Sequence, residues 1–304
     1  MSRRIEIVEV GPRDGLQNEP GTLSTPVKVE LIERLVACGL TRIEVASFVN
    51  PAKVPQMADA EQVLAALPQN ESVRYIGLVL NRKGFDRAAA AGCREIGMAL
   101  AVSDTFNRRN QNAGTDESIQ QWLDIARAAH AAGIAPQITL STSFGCPFEG
   151  EIAPERVVEV ATRVAAGQPT ELALADTIGA GVPAQVTDLV GRVRAALPGL
   201  KLRCHFHNTR NTGLANAYAA ALAGVEVLDA SVGGIGGCPF APGATGNIPT
   251  EDLIYMLHRS GFGTSVTLER LIDTGKWLQE QLGRPVPGLL VKAGPFPRVA
   301  ATRR

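Results

Sequence analysis

The stretch LVACGLTRIEVAS, residues 35–47, contains the pattern that decides the fold. An amphipathic run ends near Gly39, where a helix would take a left-handed cap, and a β-branched run follows directly. The same order recurs in AAAAGCREIGMAL (88–100), ARAAHAAGIAPQITLS (126–141) and AAALAGVEVLDAS (219–231). Repetition of helix, glycine and strand is typical of βα units, which build a parallel sheet.

Extending this pattern along the chain gives eight candidate strands. They cover residues 4–10, 42–47, 73–80, 95–101, 136–143, 171–176, 201–207 and 226–232, with helical stretches at 25–38, 56–66, 84–91, 116–132, 154–166, 183–196 and 212–223. Eight strands close a (β/α)8 barrel. An open doubly wound sheet is the alternative. The even repetition without a linker favours an α/β TIM barrel with a short C-terminal helical extension.

The domain organisation follows from the same count. A barrel of about 250 residues forms a single unit, so residues 1–282 are expected to be one catalytic domain that includes the C-terminal helices. The Pro- and Gly-rich segment GRPVPGLLVKAGPFPRV begins the last stretch, residues 283–304. We expect this stretch to be an irregular tail.

Composition argues against several classes of partner and site. Thirty basic residues balance thirty acidic ones without a long block of like charge, which argues against a nucleic-acid or membrane-surface partner. No apolar run approaches the roughly 20 residues that span a bilayer, and no secretory signal is recognisable, so we expect a cytoplasmic protein. Five cysteines without C-x-x-C spacing indicate neither a disulfide framework nor a zinc cage.

Polar residues collect at the predicted carboxyl ends of the strands, which form the active site of a TIM barrel. In chain order these residues are Arg13, Asp14, Glu44, Asp176, His205, His207, Cys238 and Asn247. His205 and His207 lie two apart on one strand, so their side chains share a face. The pair, with Asp14 and the Asn247 amide oxygen, indicates a metal site. Either histidine alone would instead suggest a structural role.

This donor set contains nitrogen and oxygen but no thiolate. It suits Mg2+ or Mn2+ better than structural zinc. Asp14 would be drawn to the cation, and Arg13 beside it could stabilise negative charge on a substrate carbonyl. A surface ion pair on a turn is the alternative interpretation of these two charges.

Cys238 lies in the glycine-rich segment GGIGGCPFAPGATGN, residues 233–247. A loop of this composition could close over a substrate. The thiol could be a nucleophile, a proton donor or a small apolar contact, and the spacing alone favours the last of these.

These residues occur in motifs that resemble the 3-hydroxy-3-methylglutaryl-CoA lyase family, among the DRE-TIM metallolyases. The resemblance runs from about residue 5 to residue 282 and rests on VEVGPRDGLQNE, ASFVNPAKVPQM, GCPFEG, DTIG, GGCPFAPGATGN and TEDL. It implies a divalent-metal-dependent enzyme that cleaves 3-hydroxy-3-methylglutaryl-CoA, or a closely related acyl-CoA, to acetyl-CoA and a 3-keto acid such as acetoacetate. It also implies a homodimer and a place in leucine catabolism.

Carried over by position, the resemblance implies a role for each motif residue. The implied metal ligands are Asp14, His205, His207 and Asn247. The implied catalytic residues are Arg13, Asp14, His205 and Cys238. The implied substrate-binding residues are Arg13, Glu44, Ser47, Asp176, Arg210 and Glu251, and Glu251 is also expected to support the Cys238 loop.

The chain departs from the family pattern at several positions. In HFHNTRNTG, residues 205–213, Asn208 and Arg210 replace an acid and an aromatic residue. The pocket would therefore be more positive and could accept a more anionic or differently substituted acyl group. Gly283 and Pro285 replace residues that contact CoA in the animal enzymes. Two alternatives stay open: a related aldolase or Claisen-type acyltransferase, and an inactive ligand-binding barrel.

Overall fold

The computed structural model describes residues 3–237 and 246–296. Its eight parallel strands form a closed barrel in chain order, with β1 paired to both β2 and β8. The strands are β1 (Glu6–Glu9), β2 (Arg42–Ser47), β3 (Arg74–Val79), β4 (Glu95–Ala101), β5 (Ala135–Ser141), β6 (Glu171–Asp176), β7 (Leu202–Phe206) and β8 (Val227–Ala230). The predicted TIM barrel is confirmed, and the strand ends agree within about two residues.

Helices alternate with the strands around the outside of the barrel. They are α1 (Thr25–Ala37), α2 (Ala60–Ala66), α3 (Arg82–Ala90), α4 (Asp104–Gln111), α5 (Thr115–Ala131), α6 (Pro154–Ala165), α7 (Pro183–Ala196), α8 (Gly213–Leu222), α9 (Thr250–Arg259), α10 (Leu268–Leu282) and α11 (Leu290–Ala293). Within the described residues, no helix is long and apolar enough to cross a bilayer.

Two helices were not predicted: α4, and the short α11, which lies within the stretch 283–304 that we expected to be irregular. Helix α4 has the sequence DTFNRRNQ, in which only Phe106 is apolar, so it lacks the periodicity that identifies an amphipathic helix. Its start is fixed instead by the Ser103 side chain, which accepts a hydrogen bond from the backbone N–H of Phe106. The helix ends at Asn112, whose left-handed φ of 56° supplies the cap.

The main apolar core lies between the strands and the outer helices. Trp122 of α5 is completely buried there and donates its indole N–H to the carbonyl of Val164 at 2.8 Å. The barrel interior is more polar. Near the amino-terminal ends of the strands, Arg42 contacts Glu6, Glu95 and Glu171. The apolar core therefore lies outside the strands, and the ion-paired residues lie inside the barrel near its amino-terminal end.

Candidate active site

A cavity of about 200 Å3 opens at the carboxyl end of the barrel. Its wall includes five residues that the sequence singled out, namely Arg13, Asp14, Glu44, His205 and His207. They come from the turn after β1, from β2 and from β7 with the residue that follows it. The structure therefore brings most of the predicted polar residues to one place.

A π-helical turn over Gly11–Gly15 positions Arg13 and Asp14. The Val10 carbonyl accepts hydrogen bonds from the backbone N–H groups of Arg13, Asp14 and Gly15, at 3.2, 2.7 and 3.2 Å. The turn needs a small residue at its start, since a Cβ on Gly11 would lie 2.6 Å from Oε1 of Glu9. This turn directs both charged side chains at the cavity.

Arg13 connects two carboxylates within the cavity wall. It donates from Nη1 to Oδ1 of Asp14 at 2.7 Å and from Nε to Oε2 of Glu44 at 2.7 Å. The side chains of Arg13 and Asp14 are only 14% and 17% exposed. The alternative interpretation as a surface ion pair is therefore wrong, because the turn holds both charges inside the barrel mouth.

Asp14, His205 and His207 form a cluster that could hold a metal ion. Each offers one ligand atom, and the three atoms lie within 4.8 Å of one another. The buried Nδ1 of His207 has no hydrogen-bond partner among the described residues. Asn247 is adjacent and donates from Nδ2 to Oδ2 of Asp14 at 2.8 Å. The carboxylate and two imidazoles fit a divalent cation with nitrogen and oxygen ligands, whereas Asn247 turns its amide nitrogen, and not the predicted ligand oxygen, toward Asp14.

Two members of the cluster, Asp14 and His207, are in metal-binding protonation states at neutral pH. Burial alone would raise the pKa of Asp14, but Arg13, His205 and His207 lower it to about 2, so Asp14 is a carboxylate. Burial and the neighbouring His205 lower the pKa of His207 to about 4, so its imidazole is neutral. A deprotonated carboxylate and a neutral imidazole are the forms that bind metals.

Asp229 of β8 was missed by the sequence reasoning, although it lines the cavity. Its Oδ2 lies 3.2 Å from Nδ1 of His205. Burial opposes protonation of His205, but the hydrogen bond and charge of Asp229 outweigh it and raise the pKa of His205. Carboxylates commonly orient ligating histidines in this way. The sequence signal that could have identified Asp229 is its position on the inward face of β8.

Glu9 is a second acidic residue that the sequence reasoning passed over. Its carboxylate accepts hydrogen bonds from the backbone N–H groups of Gly11 and Val232, both at 2.8 Å, and from the hydroxyl of Thr250 at 2.7 Å. It thus connects the turn that carries Arg13 to the segments after β8. The signal for Glu9 was an acid in register with the apolar residues Ile5 and Ile7, on the same face of the strand.

Four residues that were predicted to contact substrate are absent from the cavity wall. Asp176 instead accepts hydrogen bonds from the N–H groups of Ala180 and Gly181, at 2.8 and 3.0 Å, and so shapes the loop after β6. Arg210 donates to the carbonyls of Ile178 and Gly179 in the same loop.

The other two residues also act on segments that border the cavity. Ser47 donates to Oε1 of Gln17 at 3.0 Å, and Gln17 lies on the wall. Glu251 accepts a hydrogen bond from the N–H of Gly233 at 3.0 Å, at the start of the segment that leads to Cys238. Cys238 itself lies outside the described residues.

The sequence of the chain is similar to a known family and to individual known proteins. The HMGL-like family model matches residues 4–278. The chain is 45% identical to the (R)-citramalyl-CoA lyase of Chloroflexus aurantiacus, with 98% of this chain and 97% of that protein covered. It is 46% identical to the hydroxymethylglutaryl-CoA lyase of Pseudomonas mevalonii, with 92% and 93% covered.

Solved structures give the same result. The HMG-CoA lyase of Bacillus subtilis superposes with a TM-score of 0.93 at 40% identity, covering 96% of this chain and 98% of that one. An HMG-CoA lyase from Acinetobacter baumannii, solved with coenzyme A and 3-methylmalate, has a TM-score of 0.93 at 38% identity, with 98% and 97% covered.

Proposed function

Since the chain belongs to the HMGL-like family and is a lyase of the acyl-CoA type, we propose that it cleaves a 3-hydroxy-3-substituted acyl-CoA to acetyl-CoA and a keto acid. The proposed substrate is 3-hydroxy-3-methylglutaryl-CoA or a close relative. The proposal rests on the cluster of Asp14, His205 and His207, which lies beside Arg13 in one cavity.

We propose Mg2+ or Mn2+ as the cofactor, with Asp14, His205, His207 and Asn247 as its ligands. Such a cation would lower the pKa of the tertiary hydroxyl of the substrate, so that a base can remove its proton at neutral pH. The neutral His207 and the ionised Asp14 are already in the protonation states that this role requires.

The reaction breaks the C2–C3 bond of the acyl group. Loss of the hydroxyl proton turns C3 into the ketone carbon of the keto acid, and the bonding electrons move to C2 to give the enolate of acetyl-CoA. Arg13 is proposed to hold the thioester oxygen, where negative charge develops. Its pairing with Glu44 and Asp14 fixes the guanidinium in the cavity wall, which reduces the reorganisation needed during the reaction.

A proton must then reach C2 of the enolate. His205 is one proposed donor, because its hydrogen bond to Asp229 orients the ring and raises its pKa. Cys238 is the other proposed donor. Glu44 and Asp229 are proposed to orient Arg13 and His205, and Ser47, Asp176, Arg210 and Glu251 are proposed to shape the loops around the acyl-CoA. The predicted homodimer, cytoplasmic location and role in leucine catabolism belong to the same proposal.

The proposal is tested with purified protein that has been treated with a chelator and resupplied with Mg2+ or Mn2+. The panel contains 3-hydroxy-3-methylglutaryl-CoA and both enantiomers of citramalyl-CoA, and acetyl-CoA release is followed by mass spectrometry. We expect cation-dependent acetyl-CoA release from at least one thioester. No release from any of them, together with condensation of acetyl-CoA and a keto acid, would support the acyltransferase alternative instead.

Citramalyl-CoA is a second candidate substrate. The reason is the 45% identity to the Chloroflexus enzyme over 98% of this chain. In citramalyl-CoA the carboxylate sits on the hydroxyl-bearing carbon, whereas in 3-hydroxy-3-methylglutaryl-CoA it is one methylene farther away. The ratio of kcat/KM for the two thioesters decides between them.

A further inference from the structure

The floor of the active-site cavity contains a buried arginine to which the proposed mechanism gives no role. Arg203 precedes His205 by two residues on β7, so both side chains are on the inward face. It lines the cavity and is only 6% exposed. Its Nη2 donates to Oγ1 of Thr139 on β5 at 3.2 Å. The guanidinium therefore reaches from β7 past β6, below the metal cluster.

The hydrogen bonding of this guanidinium is incomplete. An arginine has five N–H donors, and the Thr139 contact is the one hydrogen bond that Arg203 makes within the described residues. Its Nε is buried without a hydrogen-bond partner there. Glu171 and Asp229 each approach this Nε only to 3.4 Å. These two ion pairs offset the charge of the buried guanidinium at Nε, but its terminal N–H groups make only the Thr139 contact within the described part of the chain.

The two neighbouring carboxylates are shared with other groups, although Oδ1 of Asp229 has no hydrogen-bond partner among the residues that the structure describes and faces Nε of Arg203 at 3.4 Å. Both oxygens of Glu171 accept hydrogen bonds from Arg42, at 3.1 and 3.2 Å. Oδ2 of Asp229 contacts the ring of His205. By contrast, the other arginine on the cavity wall, Arg13, is bound directly to Glu44 and Asp14. Arg203 is thus the cavity cation with donors available for an additional anion.

The cavity above Arg203 has room for such an anion. The wall positions at Ala99 and Ala175 carry only methyl side chains. An acyl group whose hydroxyl lies at the metal cluster can extend downward between them. A carboxylate on the hydroxyl-bearing carbon, as in citramalyl-CoA, or one methylene beyond it, as in 3-hydroxy-3-methylglutaryl-CoA, would then point toward the guanidinium, with which it can form two parallel hydrogen bonds.

We propose that Arg203 binds the free carboxylate of the acyl group, the one that leaves with the keto acid, and so selects carboxylate-bearing acyl thioesters over those ending in an alkyl group. This inference rests on the proposed lyase function and adds the substrate class to it. Arg203 is a specificity-determining residue, and the retained carboxylate is the feature that it recognises.

The test uses pairs of thioesters that differ only in this carboxylate. 3-Hydroxy-3-methylglutaryl-CoA is paired with 3-hydroxy-3-methylbutyryl-CoA, and citramalyl-CoA is paired with 3-hydroxybutyryl-CoA. The pair is chosen by which carboxylated thioester the wild-type enzyme cleaves. Both kcat/KM and, for the neutral member, the inhibition constant are measured for wild type, Arg203→Gln and Arg203→Lys, after thermal melts confirm folding.

We expect wild type to prefer the carboxylated thioester strongly. Arg203→Gln should lower its kcat/KM on the order of a hundredfold, since an unpaired carboxylate is left in a buried site. The inhibition constant of the neutral thioester should change less than about threefold. Arg203→Lys keeps the charge but loses the planar fork, and should lose about tenfold.

Several results would overturn the inference. One is an equal loss for both members of the pair. Another is an unchanged preference in Arg203→Gln or, if that variant fails to fold, in Arg203→Lys. A third is loss of the preference in Arg210→Gln in place of the Arg203 variants. If wild type cleaves no carboxylated thioester at all, the lyase proposal itself fails, and that result is distinct from the other three.

Discussion

Two adjacent residues of opposite charge, Arg13 and Asp14, determine the chemistry proposed for the cavity. The turn after β1 directs both side chains inward, where Glu44 holds Arg13 and Asn247 contacts Asp14. The carboxylate can serve a cation while the guanidinium remains beside the reacting carbonyl. Because Arg13 and Asp14 have different proposed roles, we expect their replacement to affect turnover and cation binding differently.

Replacement of Arg13 by alanine should abolish most turnover without removing the cation. We expect kcat to fall about a hundredfold to a thousandfold, which is typical for loss of a group that stabilises developing oxyanion charge. The measurement is steady-state kinetics together with Mn2+ stoichiometry.

Arg13→Lys serves as the matched control and should recover part of kcat, because it keeps the charge. Circular dichroism should exclude unfolding, since the alanine variant leaves Glu44 unpaired. Full activity in Arg13→Ala would refute the assigned role.

At the scale of elements, the end of β1 is stabilised by the buried carboxyl group of Glu9. Burial raises its pKa to about 7, against the hydrogen bonds from Thr250, Val232 and Gly11 that favour the charged form. In the unfolded chain this pKa would be near 4.5, the ordinary value for a glutamate. Between about pH 4.5 and pH 7, Glu9 therefore keeps its proton in the folded protein but has lost it in the unfolded chain.

This difference predicts a pH-dependent loss of stability. A carboxyl group with a raised pKa contributes stability below the unfolded pKa and loses it as the pH rises through the folded value. Glu9→Gln keeps the shape without the titration. The free energy of unfolding of wild type minus that of Glu9→Gln should therefore fall by up to about 3 kcal/mol between pH 4.5 and pH 8.

Urea denaturation of both proteins across this pH range is the measurement. Glu30→Gln is the control, because Glu30 lies on the exposed side of α1 with its side chain 48% exposed. A difference between wild type and Glu9→Gln that is constant with pH would show that Glu9 does not titrate as described.

The elements also show how far the sequence predicts this structure. The β-branched runs after Gly39, Gly92, Gly133 and Gly224 locate strands correctly because a parallel strand is buried on both faces and leaves a continuous apolar signal. Helix α4 gives no such signal, because it is held by its cap and by polar contacts. The shared face of His205 and His207 could be predicted because their spacing of two matches the period of a strand.

Asp229 and Arg203 could not be predicted in the same way. Each is a single charge in its strand, and its importance depends on which neighbours the closed barrel brings to it. His205 lies on the adjacent strand and Thr139 lies two strands away. Such relations depend on register and barrel closure, which one strand does not reveal. For the same reason Asp176, the last residue of β6, was predicted on the cavity wall, but its carboxylate instead accepts hydrogen bonds from the loop that follows.

At the scale of the whole molecule, the barrel has charged residues along its axis. Arg42 is nearly buried and contacts the carboxylates of Glu6, Glu95 and Glu171 at 3.2, 2.6 and 3.1 Å. The cluster lies at the amino-terminal ends of the strands and does not line the active-site cavity, although Glu171 approaches Arg203 on the cavity floor at 3.4 Å. It therefore stabilises the closed barrel, whereas the opposite end carries the chemistry.

Removal of Arg42 should destabilise the barrel strongly. Arg42→Met leaves buried carboxylates without their cation, and we expect a loss of about 3–5 kcal/mol in the free energy of unfolding. Arg74→Met is the matched control, since Arg74 contacts Glu6 only at 3.9 Å with its side chain 59% exposed. It should change stability by less than about 0.5 kcal/mol. Equal effects in urea denaturation would contradict this account.

Asp14, His205 and His207 are proposed to bind one divalent cation on which carbon–carbon cleavage depends. Calorimetric titration of chelator-treated protein with Mn2+ tests this proposal most directly, with His207→Ala as the variant and His130→Ala, on the exposed side of α5, as the control. We predict one ion per chain for wild type and His130→Ala, and at least a tenfold loss of affinity for His207→Ala. Equal Mn2+ affinity in all three proteins, or no binding to wild type, would contradict the proposal.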